Sequence, residues 1–267
     1  MVQVLPFFLC VLLVTSPAFA QAPNTVFLEE LTSTELQQQV RAGKTTVLVP
    51  LGGTEQNGPH MTLGKHNVRV KALSGKIALS LGDALVAPVV AYVPEGRVQP
   101  PTSHMRFAGT VTVPEETFEK VLESAARSFR QHGFRNIVFL GDHGGYQANV
   151  KAVAGRLNRE WAATPVRVQA PAEYYRASQD AYVRALKNRG YREEEIGTHA
   201  GLADTSLMLA LDPRQVRAEL LRPDTQFKST DGVYGDPRRS SAELGQLGVD
   251  AIVTQTVEAI RKGATRN

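Results

Sequence analysis

Cysteine is almost absent: the 267 residues hold one, Cys10. A chain beginning at Gln21 would carry no thiol, which excludes cysteine as a metal ligand and suits an oxidising compartment. Charge is missing from the same stretch, since residues 1–20 contain no Asp, Glu, Lys or Arg. Long apolar runs are missing too. The longest near the start, residues 5–14, is too short to cross a hydrocarbon layer of ~30 Å and reads as the h-region of a secretory signal. Ala18 and Ala20 supply the small-x-small pattern of a cleavage site, so the expected leader is residues 1–20 and Gln21 the first mature residue. An uncleaved anchor is the alternative, because no Lys or Arg precedes the apolar run. These features predict a periplasmic or secreted protein with no stable membrane insertion after cleavage. No internal repeat is present, and Lys and Arg are interspersed with Asp and Glu within a net charge of +4. That argues against nucleic acid as a partner and makes the Arg-rich stretch 214–222 a solvated face.

What is present is an ordinary globular composition, 42% hydrophobic and 21% charged, enough for one large core over residues 21–267. The run TTVLVPL at 45–51 is apolar, β-branched and short, and it breaks at Gly52-Gly53 as a buried parallel strand would. NIVFL at 136–140 runs into Gly141 in the same way, and residues 166–170 repeat the pattern more weakly. Between and beside these, residues 67–81, 114–132 and 149–161 place apolar side chains at three- and four-residue spacing, as helices do. The alternation predicts an α/β fold, a mostly parallel central sheet with helices on both faces. Ligands in such sheets bind beyond the carboxyl ends of the strands.

The polar motifs fall there. GGTEQNGPHMTLGKH, residues 52–66, offers Glu55, His60 and His66; GDHGGYQAN, residues 141–149, offers His143; THAGLADTS, residues 198–206, offers His199 and Asp204. Imidazoles with carboxylates are the ligand set of a hydrolytic zinc or manganese site, whose open position holds water of lowered pKa. Hydroxide formed there attacks an amide or lactam carbonyl while a neighbouring His or Asp passes a proton to the leaving nitrogen. His60, after Pro59, is not a first choice as ligand and could serve the loop backbone. His104 could line a pocket or lie in a surface loop. His132, before Gly133, has the setting of a helix C-terminus and reads as structural. Asp142 could orient His143 or cap the following helix.

Taken in order, these clusters resemble the creatininase family, which carries E-Q-H-G-P-H-L-P with an Asp further on, then N-G-H-G-G-N, then H-A-G-E-x-E-T-S. SHMRFAGTVTVP at 103–114 and GVYGDPRRSSAELG at 232–245 extend the likeness over most of the mature chain. The resemblance implies a layered α/β fold, commonly oligomeric, and metal-dependent cleavage of amide C–N bonds. It also implies a reduced centre. Glu55 and His143 match metal ligands, but His66 stands in the place of an Asp that bridges two metals, and Asn57 in the place of a His on the second metal. Gly145 and Leu202 lack the carboxylate that would serve that second metal. The expectation is one metal per chain, zinc with manganese as the alternative, on Glu55, His66 and His143. His199 and Asp204 are then the proton shuttle and its orienting carboxylate.

The function expected is hydrolysis of a small amide, lactam or lactone by a homo-oligomer. The competing reading is a catalytically inactive relative that keeps the pocket to bind a small molecule or scaffold a partner, and a third is non-hydrolytic chemistry such as lyase or isomerase action. Retention of metal separates the first two, because a binding module needs no convergent ligands.

Overall fold

The computed structural model describes residues 23–264; the expected leader lies outside the described residues. Four strands form one sheet: β1 (Thr46–Leu51), β2 (Ala84–Val86), β3 (Asn136–Gly141) and β4 (Arg167–Gln169), all parallel, in the order β2-β1-β3-β4. Thr46 pairs with Asn136 and the register runs to Leu51 opposite Gly141. β1 and β3 are buried over nearly their whole length, which is why both read as unbroken apolar runs rather than alternating ones.

The pleat sends successive side chains to opposite faces, and each face is sealed by its own helices. Leu48, Val86, Val138 and Leu140 meet α2 (Lys65–Leu81), α5 (Ala172–Gln179), α8 (Leu202–Leu211) and the 23-residue α9 (Ala242–Ala264). Val47, Val49, Leu51, Ile137 and Phe139 meet α3 (Glu115–Gln131) and α4 (Gln147–Glu160). The short α1 (Ser33–Arg41), opened by a Thr32/Glu35 capping box, packs Leu36 and Val40 on that second face. Helices α6 (Ala181–Asn188) and α7 (Glu193–Ile196) complete the first layer. The result is the three-layer α/β arrangement expected. Burying a Leu or Phe in such a layer contributes roughly 1.5–3 kcal/mol. None of the described helices is long and apolar enough to cross a membrane.

Helices α2, α3 and α4 fall within two residues of their expected bounds, and His132 is the C-cap of α3. β2 was not expected. Its three residues are too few to show a period, and its place is fixed by pairing with β1. The segment 214–222 forms two short turns with mostly exposed side chains.

The strand order fixes where ligands enter. From β1 the chain crosses to β2 on one side, then returns past β1 to β3 on the other. The crossovers diverge between the carboxyl ends of β1 and β3, leaving a crevice there. Glu55 follows β1 by four residues, and Asp142 and His143 follow β3 directly.

Candidate active site

The loops leaving β1 and β3 are tied together before any functional group is placed. The buried Tyr146 hydroxyl lies 2.7 Å from the carbonyls of Leu51 and Gly52 and accepts from the amides of Asp142 and His143, each at 3.1 Å. One phenol thus holds the C-terminal ends of both strands. At Gly53 the backbone takes φ +153°, and a β-carbon there would stand 2.5 Å from Glu95 Oε1. Glycine is what allows that carboxylate to approach.

Four potential ligand atoms, from Glu55, Glu95, His104 and His143, lie within 4.8 Å of one another. Glu55 Oε2 is 3.3 Å from His104 Nε2 and 3.6 Å from His143 Nε2, and His143 Nδ1 is 3.7 Å from Glu95 Oε2. Both carboxylates are buried, and Glu55 Oε2 and both oxygens of Glu95 have no hydrogen-bond partner. Orphaned buried acceptors facing imidazole nitrogens fit a divalent cation, which would satisfy them together.

The electrostatics agree with that fit. Burial, then the neighbouring Glu55 charge, pushes the Glu95 carboxyl up to about 9. Burial also works against ionisation of Glu55, but Lys65 and His66 override it and hold Glu55 well below the ordinary carboxylate range. Burial depresses His143 to about 3 and His199 to about 4, and lowers His104. The imidazoles are therefore neutral near pH 7, the form that binds metal.

His66 is not among the four. Its Nε2 lies 2.8 Å from Glu55 Oε1 and its Nδ1 2.6 Å from Asp142 Oδ2, so each ring nitrogen faces a carboxylate oxygen. Asp142 also accepts from Arg69 Nε and from the Tyr174 hydroxyl, each at 2.8 Å. Lys65, His66 and Arg69 sit on the first two turns of α2, directed at the crevice, while Val70, Leu73 and Ile77 further along enter the core. Lys65 Nζ bridges Glu55 Oε1 at 3.3 Å and Asp204 Oδ2 at 3.2 Å, and Arg69 Nη1 donates to Asp204 Oδ1 at 2.7 Å. Burial would raise the Asp204 carboxyl, but Lys65 and Arg69 hold it well below its usual range.

His199 Nε2 lies 3.0 Å from the carbonyl of Gln56 and 3.3 Å from that residue's side-chain amide nitrogen, and Nδ1 lies 3.7 Å from Glu55 Oε1. Asp204 makes no hydrogen bond to His199 among the described residues; its oxygens are taken by Arg69, Lys65 and the amide of Ala200. Ala200, fully buried at φ +53°, is in the left-handed region that a side chain disfavours. His60 donates or accepts at the Thr205 hydroxyl, 2.9 Å away, and stacks edge-on against Phe227.

Glu55 and His143 thus stand in one cluster, with His66 and His199 beside Glu55 and Asp204 behind them. The sequence does not single out Glu95, and it leaves two roles open for His104. Both lie in segment 87–114, whose main signal was Glu95 following the apolar residues 84–94. A cavity of about 280 Å³ opens over the cluster, lined by His104, His143, Tyr175, His199 and Tyr234 among others.

The family model for creatininase, "creatinine amidohydrolase", matches residues 29–260. The chain is 27% identical to the creatinine amidohydrolase of Pseudomonas putida over 258 residues, covering 90% of this chain and 97% of that one. It is 31% identical over 250 residues to the mycofactocin precursor peptide peptidase of Mycolicibacterium smegmatis, 86% and 90% of the two chains. A crystal structure of creatinine amidohydrolase superposes with TM-score 0.75 at 26% identity, covering 92% of this chain and all of the other. Solved creatininases include a manganese form and a variant of Zn–Zn type. The family model spans most of the chain, and the chain belongs to the creatininase family.

Proposed function

We propose that this protein is a metal-dependent amidohydrolase whose single divalent cation, zinc or manganese, is held by Glu55, Glu95, His104 and His143. The observation that carries the reading is the set of buried, unpartnered carboxylate oxygens on Glu55 and Glu95 among neutral imidazoles. When bound, the cation supplies Lewis acidity for an amide carbonyl and for the attacking water. Support for one metal comes from Asn57, Gly145 and Leu202, none of which offers a good second set of ligands. Asn57 instead donates through Nδ2 to the carbonyls of Glu55 and Thr62, at 2.9 Å each, bracing the loop.

The chain's own groups divide the remaining work. His199, its imidazole neutral near pH 7, takes a proton from water and returns it to the leaving nitrogen. Lys65 and His66 fix Glu55 Oε1, leaving Oε2 turned to the cluster. Asp204 anchors Lys65 and Arg69. The substrates are small amides, lactams or lactones. The proposal also makes the protein an exported homo-oligomer, on the uncharged apolar residues 1–20 and the family resemblance; N-terminal sequencing of the exported fraction and light scattering check both.

The site is tested by metal analysis of protein purified without chelators. About one equivalent is expected in the wild type, lost in His143→Ala and His104→Ala and retained in His66→Ala. Loss in His66→Ala with retention in His104→Ala would move the cation to Glu55, His66 and His143. A chain that takes up no metal would end the hydrolase reading and leave a binding protein.

A further inference from the structure

Beside the cavity over the cluster lies a second one of about 350 Å³, lined by Gln56, Ser103, His104, Arg106, Phe107, Ser229 and Tyr234. His104 and Tyr234 line both cavities, so the cluster stands at their junction rather than at the end of a closed pocket. A substrate cleaved there has room on two sides, more than a single small ring needs.

The two cavities differ in charge. In the inner one every cation is already matched: Lys65 by Glu55 and Asp204, Arg69 by Asp142 and Asp204. The outer one contains one formally charged side chain, Arg106, and no carboxylate. Arg106 makes no hydrogen bond or ion pair among the described residues, so the cation lining this cavity is unmatched there. An unmatched guanidinium, flanked by the Phe107 ring and hydroxyl groups of Ser103 and Ser229, is a receptor for a planar anion and favours carboxylate through two parallel hydrogen bonds.

We propose that the substrate is a linear amide bearing a free carboxylate, of the N-acyl amino acid type, with the carboxylate held by Arg106 in the outer cavity and the scissile amide at the junction. The proposal rests on the amidohydrolase reading of the cluster. Hydrolysis breaks the acyl C–N bond, adds the water oxygen to the acyl carbon and leaves the second water hydrogen on the departing amine. Arg106 takes no part in that exchange and sets which amides are accepted.

The experiment compares hippurate with its neutral amide, N-benzoylglycinamide, on the metal-loaded full-length protein, by calorimetric binding and by release of glycine or glycinamide. Arg106 is exposed, so Arg106→Ala and Arg106→Lys leave the core untouched. Wild type is expected to bind hippurate about tenfold more tightly than the amide, Arg106→Ala to lose that preference by weakening hippurate binding while binding of the amide changes little, and Arg106→Lys to recover part of it. Equal binding of the two probes, no binding of hippurate at millimolar concentration, or a preference that survives Arg106→Ala overturns the proposal. A preference that depends on Arg106 without turnover of either probe would instead sustain the carboxylate site and count against the hydrolase reading.

Discussion

Arg69 illustrates how much a single side chain carries here. Its guanidinium is buried, which disfavours the charge, yet Asp142 and Asp204 raise its pKa well beyond the ordinary value. Removing it takes the guanidinium from the buried Asp142, which keeps His66 and Tyr174, and from the part-exposed Asp204, which keeps Lys65 and the Ala200 amide; breaking a buried pair costs about 3–5 kcal/mol. Arg69→Met should therefore lower the urea midpoint by that equivalent with an unchanged slope; a loss below about 1 kcal/mol would show that water reaches Asp142 and Asp204. His60 acts through pH. Burial lowers it from 6.5 to about 4, opposed by Asp204 and assisted by Lys65. The unfolded chain gains a proton as pH falls through 6.5, and the folded chain does not until about 4. The His60 contribution is thus fully present above the higher value and is lost as pH falls between the two, roughly 3 kcal/mol in all. His60→Asn should make stability fall less steeply across that window, and parallel curves for the two proteins would remove His60 from the account.

The elements show why some of this could be read from sequence and some could not. β1 and β3 are six-residue strands buried among neighbours on both faces, so their apolar runs were legible, and the Gly- and His-bearing loops behind them marked the crevice. β2 and β4 have three residues each; pairing, not composition, defines them. Glu95 and His104 were hidden because segment 87–114 has neither helical nor strand period, and its course is set by bonds such as Glu95 N–H to Thr112 Oγ1 at 2.9 Å and Val111 N–H to Thr54 O at 3.0 Å. No spacing in the sequence records such pairings. Tyr146 belongs to the same class: nothing in GDHGGYQAN shows that its hydroxyl joins two strands. Tyr146→Phe should leave the amide of His143 short of an acceptor, while that of Asp142 keeps the Leu51 carbonyl at 3.1 Å, destabilising the fold by about 1–3 kcal/mol. It should also weaken metal binding more than a surface change of equal stability cost does. Unaltered metal affinity would mean that β1 and β3 hold the two loops without it.

At the scale of the molecule, the four clustered ligands come from three separated stretches: the loop after β1, segment 87–114 and the loop after β3. With no cation, two buried carboxyl groups face each other there and Glu95 retains its proton to about pH 9. A bound cation would displace that proton and tie the three stretches into one unit. Because the unfolded chain cannot bring these residues together, binding energy becomes folding energy. At a free metal concentration a hundred times the Kd the native state gains about 2.7 kcal/mol, which in a domain of this size raises Tm by roughly 5–11 °C. Chelator-treated protein should accordingly melt that much lower than protein reloaded with zinc or manganese. His104→Ala should melt at nearly one temperature in both conditions, and Arg106→Ala should keep the full difference. If metal binds stoichiometrically but the two melting curves coincide, the cation is held by groups already fixed without it, and segment 87–114 does not depend on it for its position.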